Sequence, residues 1–272
     1  MAPRQRNTRG RNARHKHGPD TEAIGQPAEI DEPVRLNRYI AKSGVCSRRK
    51  ADDLIDQKRV KVNGEVVTEY WYQVQPDDEV EVNGTIISPR AHVYILLNKP
   101  KGVITTTDDE RGRDTVLDLI DLPGVEQAGL FPVGRLDRDT VGTILITNDG
   151  ELAHRLMHPS YEVDKLYIVR AKKPIQPDEL AQLAAGVTLE DGPAKADQVA
   201  YTQPPDQHEI GMQLHEGRNR QIRRMIEAIG NEVETLERVS YASLTTEGVR
   251  RGKWRRLQPH EVKRLRNLVH LK

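Results

Sequence analysis

The chain has 272 residues, of which 31% are charged and 4% are aromatic, and this length suits one large domain or a small domain plus a medium one. Its 42 Lys and Arg residues nearly cancel its 41 Asp and Glu residues, so the net charge of +1 indicates no class of partner. No apolar run approaches the roughly 18 residues that span a bilayer, which argues against a membrane protein and predicts a cytoplasmic one. The single cysteine, Cys46, excludes an internal disulfide and a multi-cysteine metal site.

Residues 1–33 are predicted to form a disordered tail that is first basic and then acidic. The first 19 residues carry six Arg and Lys and no acidic residue, and five Asp and Glu follow between residues 20 and 32. A segment of this kind has too few apolar side chains to build a core.

Residues 34–88 have the pattern of a small domain with two helices followed by short strands. The first helix is predicted to end at Gly44, and Ser47 can cap the second because its hydroxyl can accept from first-turn amides. Asn-Gly pairs at residues 63–64 and 83–84 lie between Val-rich stretches, which is the strongest short signal for a β-hairpin.

Nine Arg and Lys but only three acidic residues lie between residues 35 and 62. Arg48, Arg49 and Lys50 gather at the predicted N-terminus of the second helix, where free amides and the helix dipole favour anions. We therefore expect phosphate binding there rather than a merely solvated face. The stretch RLNRYIAKSGVCSRRKADDLI, within a match over residues 34–82, resembles the small RNA-binding domain often called the alpha-L motif.

Residues 91–268 are predicted to form the second domain, after a short linker at 89–92. Short strands alternate with short helices, without a fixed repeat and without the regular β-α-β rhythm of a doubly wound sheet. The pattern predicts an α+β fold whose mixed, largely antiparallel sheet is flanked by helices.

Several templates for chemistry are absent. The sequence contains no glycine-rich loop ending in Gly-Lys-Ser/Thr, no GxGxxG after a strand, no HExxH and no GxSxG. His154 and His158 are four residues apart on one predicted helix, which indicates a surface pair more than a metal site. We predict neither a metal nor a small-molecule cofactor.

The stretch VGRLDRDTVG places Asp137 at the mouth of a buried strand, between Arg135 and Arg138. A carboxylate in that position is costly unless charge and hydrogen bonds compensate it. By itself the pattern suits a turn residue as well as a reacting group.

Four stretches occur in order: LLNKPKGVITT, GRLDRDTVGTILITNDGELAHRLMHP, KLYIV and EGRNRQIRRM. Together they resemble the signature of bacterial pseudouridine synthases of the RsuA and RluB type over residues 93 to 258, and the alpha-L domain is that family's usual companion. The resemblance implies isomerisation of a uridine in ribosomal RNA, more typically of the large subunit, by a monomer without a cofactor. Its partner would be ribosomal RNA or a ribosomal subunit precursor.

The resemblance also implies roles for single residues. Asp137 would carry the catalysis, either as a nucleophile at the anomeric carbon or as a base that removes a ribose proton. Tyr167 would stack on the target uracil and could handle its C5 proton, although a tyrosine in such a strand is usually a core residue. Arg223 would pair with Asp137 and fix its rotamer. The remaining candidates for binding substrate or RNA in this domain are Lys99, Arg135, Lys165, Arg218, Arg220, Gln221 and Arg224.

Three other functions remain open at this stage. The target could lie in small-subunit ribosomal RNA, the chain could be a non-catalytic RNA-binding protein of ribosome assembly, or it could release free uracil as a glycosylase. A cluster of cations around Trp254 near the C-terminus suggests further RNA contact, with a solvated terminal helix as the alternative for its last third.

Overall fold

A computed structural model describes residues 24–107, 109, 111–126 and 128–271. Residues 1–23, which contain the basic part of the predicted tail, lie outside the described residues. The small domain contains β1 (Val34–Arg35), α1 (Leu36–Lys42), α2 (Arg48–Asp56), β2 (Val60–Val62), β3 (Glu65–Val66), β4 (Gln73–Val74), β5 (Val80–Val82) and β6 (Thr85–Ile87).

The small domain has its own apolar core beneath a four-stranded sheet with the order β3-β2-β5-β6. Both predicted hairpins are confirmed, since β2 pairs with β3 and β5 pairs with β6. Ser47 caps α2 as predicted, by accepting a hydrogen bond from the Lys50 amide. Leu36, Ile40 and Ile55 are fully buried between the helices and the sheet.

The large domain follows with eleven strands and four helices in the described part of the chain. They are β7 (Tyr94–Lys99), β8 (Phe131–Pro132), β9 (Val141–Thr147), α3 (Gly150–Met157), β10 (Lys165–Ala171), α4 (Pro177–Ala185), β11 (Val187–Leu189), β12 (Gly192–Ala194), β13 (Gln198–Gln203), β14 (Asp206–Leu214), α5 (Gln221–Ala228), β15 (Val233–Tyr241), β16 (Leu244–Thr245), β17 (Trp254–Arg256) and α6 (Pro259–Leu268).

A nine-stranded sheet organises this domain, and its main path runs β13-β14-β10-β15-β9-β7-β17. Strands β15 and β9 are parallel, whereas the other pairs in this sheet are antiparallel. The predicted mixed, largely antiparallel α+β fold is therefore confirmed.

The parallel pair depends on a glycine at the centre of the sheet. Gly142 has φ +107°, and a Cβ added there would lie 2.2 Å from the carbonyl oxygen of Arg238. Any side chain would push β9 away from β15. This close approach joins the start of β9, just after the loop that precedes it, to the half of the sheet that contains β10.

Residues 24–30, which we call the strap, differ from the predicted disordered tail. Ile24 is buried in the large domain, and its amide donates to the carbonyl of Pro123 at 2.9 Å. Ile30 is buried in the core of the small domain. The apolar side chains of the strap are few, but they fill gaps in cores built by other residues, which the local composition did not reveal.

No helix in the described part of the chain is long and apolar enough to cross a membrane.

Candidate active site

The loop between β8 and β9 carries Asp137, and a buried lysine holds its backbone. Lys99, at the end of β7, has no exposed surface. Its ammonium group donates to the carbonyl oxygens of Asp137 at 3.1 Å, Arg138 at 3.3 Å and Thr140 at 2.8 Å. Burial lowers the pKa of Lys99 to about 8, against the opposing effect of the nearby carboxylates.

The prediction that Lys99 binds substrate or RNA is wrong. Its charged end is surrounded by main-chain carbonyls and cannot reach a phosphate. A lysine before a Pro-Lys-Gly turn resembles a surface cation in sequence, so only its burial in the fold reveals its role in positioning the loop.

Tyr167 lies on β10, near the middle of the sheet. It is half-buried and packs against two core clusters, one beneath α5 and one beneath β7 and β9. A register shift in the β10–β15 pairing occurs next to it, with Leu166 opposite Ser240 and Tyr167 opposite Arg238. Such bulges re-aim side chains beside functional sites.

Helix α5 brings two arginines to the Asp137 carboxylate. Its apolar face, with Met225 and Ile226 fully buried, packs on the sheet and leaves its first turn facing the Asp137 loop. Arg223 Nε lies 3.8 Å and Arg220 Nη1 lies 3.9 Å from Asp137 Oδ2. These are ion-pair distances, longer than hydrogen bonds. The structure thus brings Arg223 to Asp137 as predicted.

Asp137, Tyr167 and Arg223 line one cavity of about 90 Å³. The Asp137 side chain is 35% exposed, whereas that of Arg223 is 12% exposed. Leucine and isoleucine side chains line the cavity together with the carboxylate and the guanidinium. Of the other predicted residues, four also line it: Arg135, Arg218, Arg220 and Gln221.

Arg218 and Arg224 both pair with Asp191. Arg224 forms a bidentate pair with Asp191, with distances of 2.9 and 3.0 Å. Arg218 donates to Asp191 at 3.1 Å and to the Pro193 carbonyl at 2.6 Å. The Arg224 hydrogen bonds hold the pKa of Asp191 below its usual value.

These contacts tie α5 to the β11–β12 hairpin, and the phosphate contacts expected of Arg218 and Arg224 stay a prediction. The Asp-Gly pair at residues 191–192 indicates a turn in the sequence. It gives no sign that the aspartate pairs with one arginine of α5 and with another just before that helix.

Gln221 and Lys165 support the loop that leads into α5. Gln221 is buried, accepts from the Arg218 amide at 3.0 Å and donates to the Glu216 carboxylate. Lys165 donates to the carbonyls of Val163 at 2.7 Å and of His215, and burial lowers its pKa to about 8. Lys165 does not line the cavity around Asp137, because its ammonium is held by these carbonyls. The predicted role of Lys165 in binding substrate or RNA stays a prediction.

Arg48, Arg49 and Lys50 lie exposed in the first turn of α2 in the small domain. Their predicted role in binding phosphate stays a prediction.

Comparison with known proteins identifies the family. A model of RNA pseudouridylate synthases matches residues 93–228, and a model of the S4 domain matches residues 34–80. The chain belongs to the RNA pseudouridine synthase family. The family resemblance inferred from the four sequence stretches and the N-terminal RNA-binding domain is thereby confirmed.

Two relatives of this pseudouridine synthase have informative names. Ribosomal large subunit pseudouridine synthase B of Bacillus subtilis is 48% identical over 239 residues, which cover 86% of this chain and 96% of the relative. Dual-specificity RNA pseudouridine synthase RluF of Escherichia coli is 39% identical over 242 residues, covering 88% and 80%. A crystal structure of a pseudouridylate synthase, 31% identical, superposes with a TM-score of 0.61 over 85% of this chain and 99% of that one.

Proposed function

We propose that this pseudouridine synthase isomerises a uridine of large-subunit ribosomal RNA, with Asp137 as the catalytic carboxylate. The observation that carries the proposal is the convergence of Asp137, Tyr167 and Arg223 on one cavity. The large-subunit target is supported by the name of the Bacillus subtilis relative. We also propose that the protein acts in the cytoplasm as a monomer and without a cofactor.

The reaction breaks the bond between uracil N1 and ribose C1′, turns the base, and forms a bond from C5 to C1′. The proton on C5 is lost and N1 gains one, so the product is an isomer of the substrate. The Asp137 carboxylate serves either as the nucleophile at C1′ or as the base at C2′. Both roles require an ionised carboxylate held close to the sugar.

The neighbours of Asp137 supply that arrangement. The Arg223 guanidinium, 3.8 Å from Oδ2, pairs with the carboxylate and restricts its rotamer. The half-buried ring of Tyr167 offers a stacking surface for the uracil. When a base fills the cavity and displaces water, the electrostatic interactions inside it strengthen. Arg135 and Arg220 then contact the phosphates of the target nucleotide at the cavity mouth.

The base must leave its stack to reach this cavity, as it does in other enzymes that act on a base. The small domain would meanwhile hold the structured RNA through phosphate contacts, with Arg48, Arg49 and Lys50 at the N-terminus of α2. The task is thus divided between recognition of the RNA fold by the small domain and chemistry in the large one.

Asp137→Asn tests the proposed reagent, because it removes the charge and keeps the volume. We expect no turnover and an unchanged affinity for RNA. The measurement is carbodiimide-stop sequencing of ribosomal RNA from cells that lack the gene and are complemented with wild type or variant. One stop in large-subunit RNA, restored by wild type alone, is the expected result.

Other results would point to the alternatives. Turnover by Asp137→Asn would remove Asp137 as the reagent, and a stop in small-subunit RNA would move the target. Release of free uracil from purified RNA would indicate a glycosylase. RNA binding by wild type without any modified site would favour a non-catalytic assembly protein.

A further inference from the structure

A tight turn joins the Asp137 loop to a basic loop near the C-terminus. At residues 100–102, the Gly102 amide donates to the Arg138 carbonyl at 2.9 Å, and Arg138 Nε donates back to the Gly102 carbonyl at 3.1 Å. On the other side, the Gly252 amide donates to the Asn98 carbonyl at 2.8 Å and the Asn98 amide to the Lys253 carbonyl at 3.0 Å. Three segments distant in sequence therefore meet beside the Asp137 loop.

The basic loop is held firmly. Arg251 donates to the side-chain oxygen of Asn98 at 2.6 Å and pairs with Glu237 at 2.8 Å. The Asn98 side chain donates to the carbonyl of Val249 at 2.7 Å. Because Glu237 pairs in register with Val141 at the start of β9, this anchoring connects the basic loop to the strand that follows Asp137.

Three cations on these segments face solvent, and we call them the rim: Lys101, Arg250 and Lys253. Within the described residues, none of them has a carboxylate within 4 Å. Asp139, on the Asp137 loop, pairs with none of them. Fixed backbone with free cationic ends suits a ligand whose charges are regularly spaced.

The α5 side of the cavity differs from the rim. There Arg218 and Arg224 pair with the carboxylates of Asp191 and Glu216, and Arg220 and Arg223 face Asp137. Elsewhere in the C-terminal cluster, Arg255 pairs with Glu261 and Arg266 with Asp149. Beyond Arg135 and Arg138 on the Asp137 loop itself, the exposed cations without a carboxylate partner beside this loop include the rim on the β7–β17 side.

We propose that Lys101, Arg250 and Lys253 bind the phosphate backbone of the substrate RNA on the β7–β17 side of the Asp137 loop. This inference rests on the proposed function and adds a location for the strand that flanks the target nucleotide. Rim contacts hold that strand while the target base enters the cavity. Phosphate contacts of this kind position RNA without reading its sequence.

The test compares two triple variants that remove the same charges. The rim variant combines Lys101→Gln, Arg250→Gln and Lys253→Gln. The control variant removes two lysines and one arginine from exposed sites elsewhere on the large domain, through Lys195→Gln, Lys263→Gln and Arg264→Gln. Affinity for a ribosomal RNA fragment that wild type modifies is measured between 50 and 300 mM KCl. Each lost phosphate contact should lower the slope of log K against log salt by about 0.7–0.9.

We expect the rim variant to lose roughly tenfold or more in affinity at 0.1 M salt and about two units of slope, with the control within roughly twofold of wild type. Equal losses in both variants, or no loss in the rim variant, would overturn the proposal. In the latter case the rim would be free to bind an acidic protein instead.

A second measurement locates the contact. Single phosphates around the target are replaced by uncharged methylphosphonates, and each substituted RNA is tested with wild type and with the rim variant. Substitution at one or two positions should weaken RNA binding by wild type. The same substitutions should not change RNA binding by the rim variant, because that variant has already lost the contact. Additive losses at every position would contradict the proposal. Wild-type turnover on the unmodified fragment is the separate test of the proposed function.

Discussion

At the scale of single residues, the Asp137 carboxylate depends on a lysine that never reaches solvent. Lys99 is the shared donor for three carbonyls of the loop that carries Asp137. A small shift of this loop would change the distance from Asp137 to Arg223, which is already at the outer range of an ion pair. Lys99 is therefore a positioning residue for the proposed reaction.

Lys99→Met should lower both stability and turnover while RNA affinity stays close to wild type. Methionine fills much of the same space but leaves buried carbonyls without a donor, at a cost of about 1–3 kcal/mol for an unsatisfied group. Chemical denaturation, kcat and RNA binding are measured on one preparation. A variant that loses stability but keeps full kcat would show that Lys99 supports the fold and does not position the loop.

The pKa of Lys99 adds a dependence on pH. Its folded pKa of about 8 lies below the usual lysine value, so the unfolded chain binds more protons between these two values. The contribution of Lys99 to the free energy of unfolding therefore rises from pH 8 towards 10. The difference in stability between wild type and Lys99→Met should grow over this range, and a constant difference would contradict the lowered pKa.

At the scale of elements, the sequence correctly predicted the features that depend on neighbouring residues. The Ser47 cap and the two Asn-Gly hairpins depend on a few neighbouring residues, and the structure contains all three. The pairing of Arg224 with Asp191 and the burial of Lys99 depend on contacts across the fold. A sequence shows the charge of such residues but not whether another charge or a layer of backbone covers them.

The Asp191 pairs give a prediction for α5. Asp191→Asn removes the charge that pairs with Arg224, whereas Arg218 keeps a second carboxylate partner, so the Arg224 guanidinium becomes available to phosphates. We expect tighter RNA binding with a steeper salt dependence, together with a lower kcat because α5 is held less firmly near Asp137. Glu190→Gln is the matched control, since it removes the same charge from an adjacent exposed side chain that forms no ion pair within the described residues. Equal effects of both variants would argue against a specific role for the Asp191 pairs.

At the scale of the whole molecule, the two domains share more than a peptide connection. The strap has Ile24 in the core of the large domain and Ile30 in that of the small one. The Ala28 amide donates to the Pro89 carbonyl at 2.8 Å, and Arg90 Nε donates to the Ser43 carbonyl at 3.4 Å. A fixed distance between domains raises the effective concentration of one RNA contact once the other has formed.

Removal of the strap should therefore weaken binding of long RNA more than it slows chemistry. Two truncated chains are compared, one without residues 2–22 and one without residues 2–30, because both lack the same cations at residues 4–16 and differ in the strap. The shorter chain should show a KM several-fold higher for a ribosomal RNA fragment that spans both domains, and little change for a short hairpin that reaches only the large domain. Equal KM values for the two truncated chains on the long fragment would mean that the domains keep their arrangement without the strap.

In the full chain, Ile24→Ala should lower the free energy of unfolding by about 2 kcal/mol, near the low end for such substitutions.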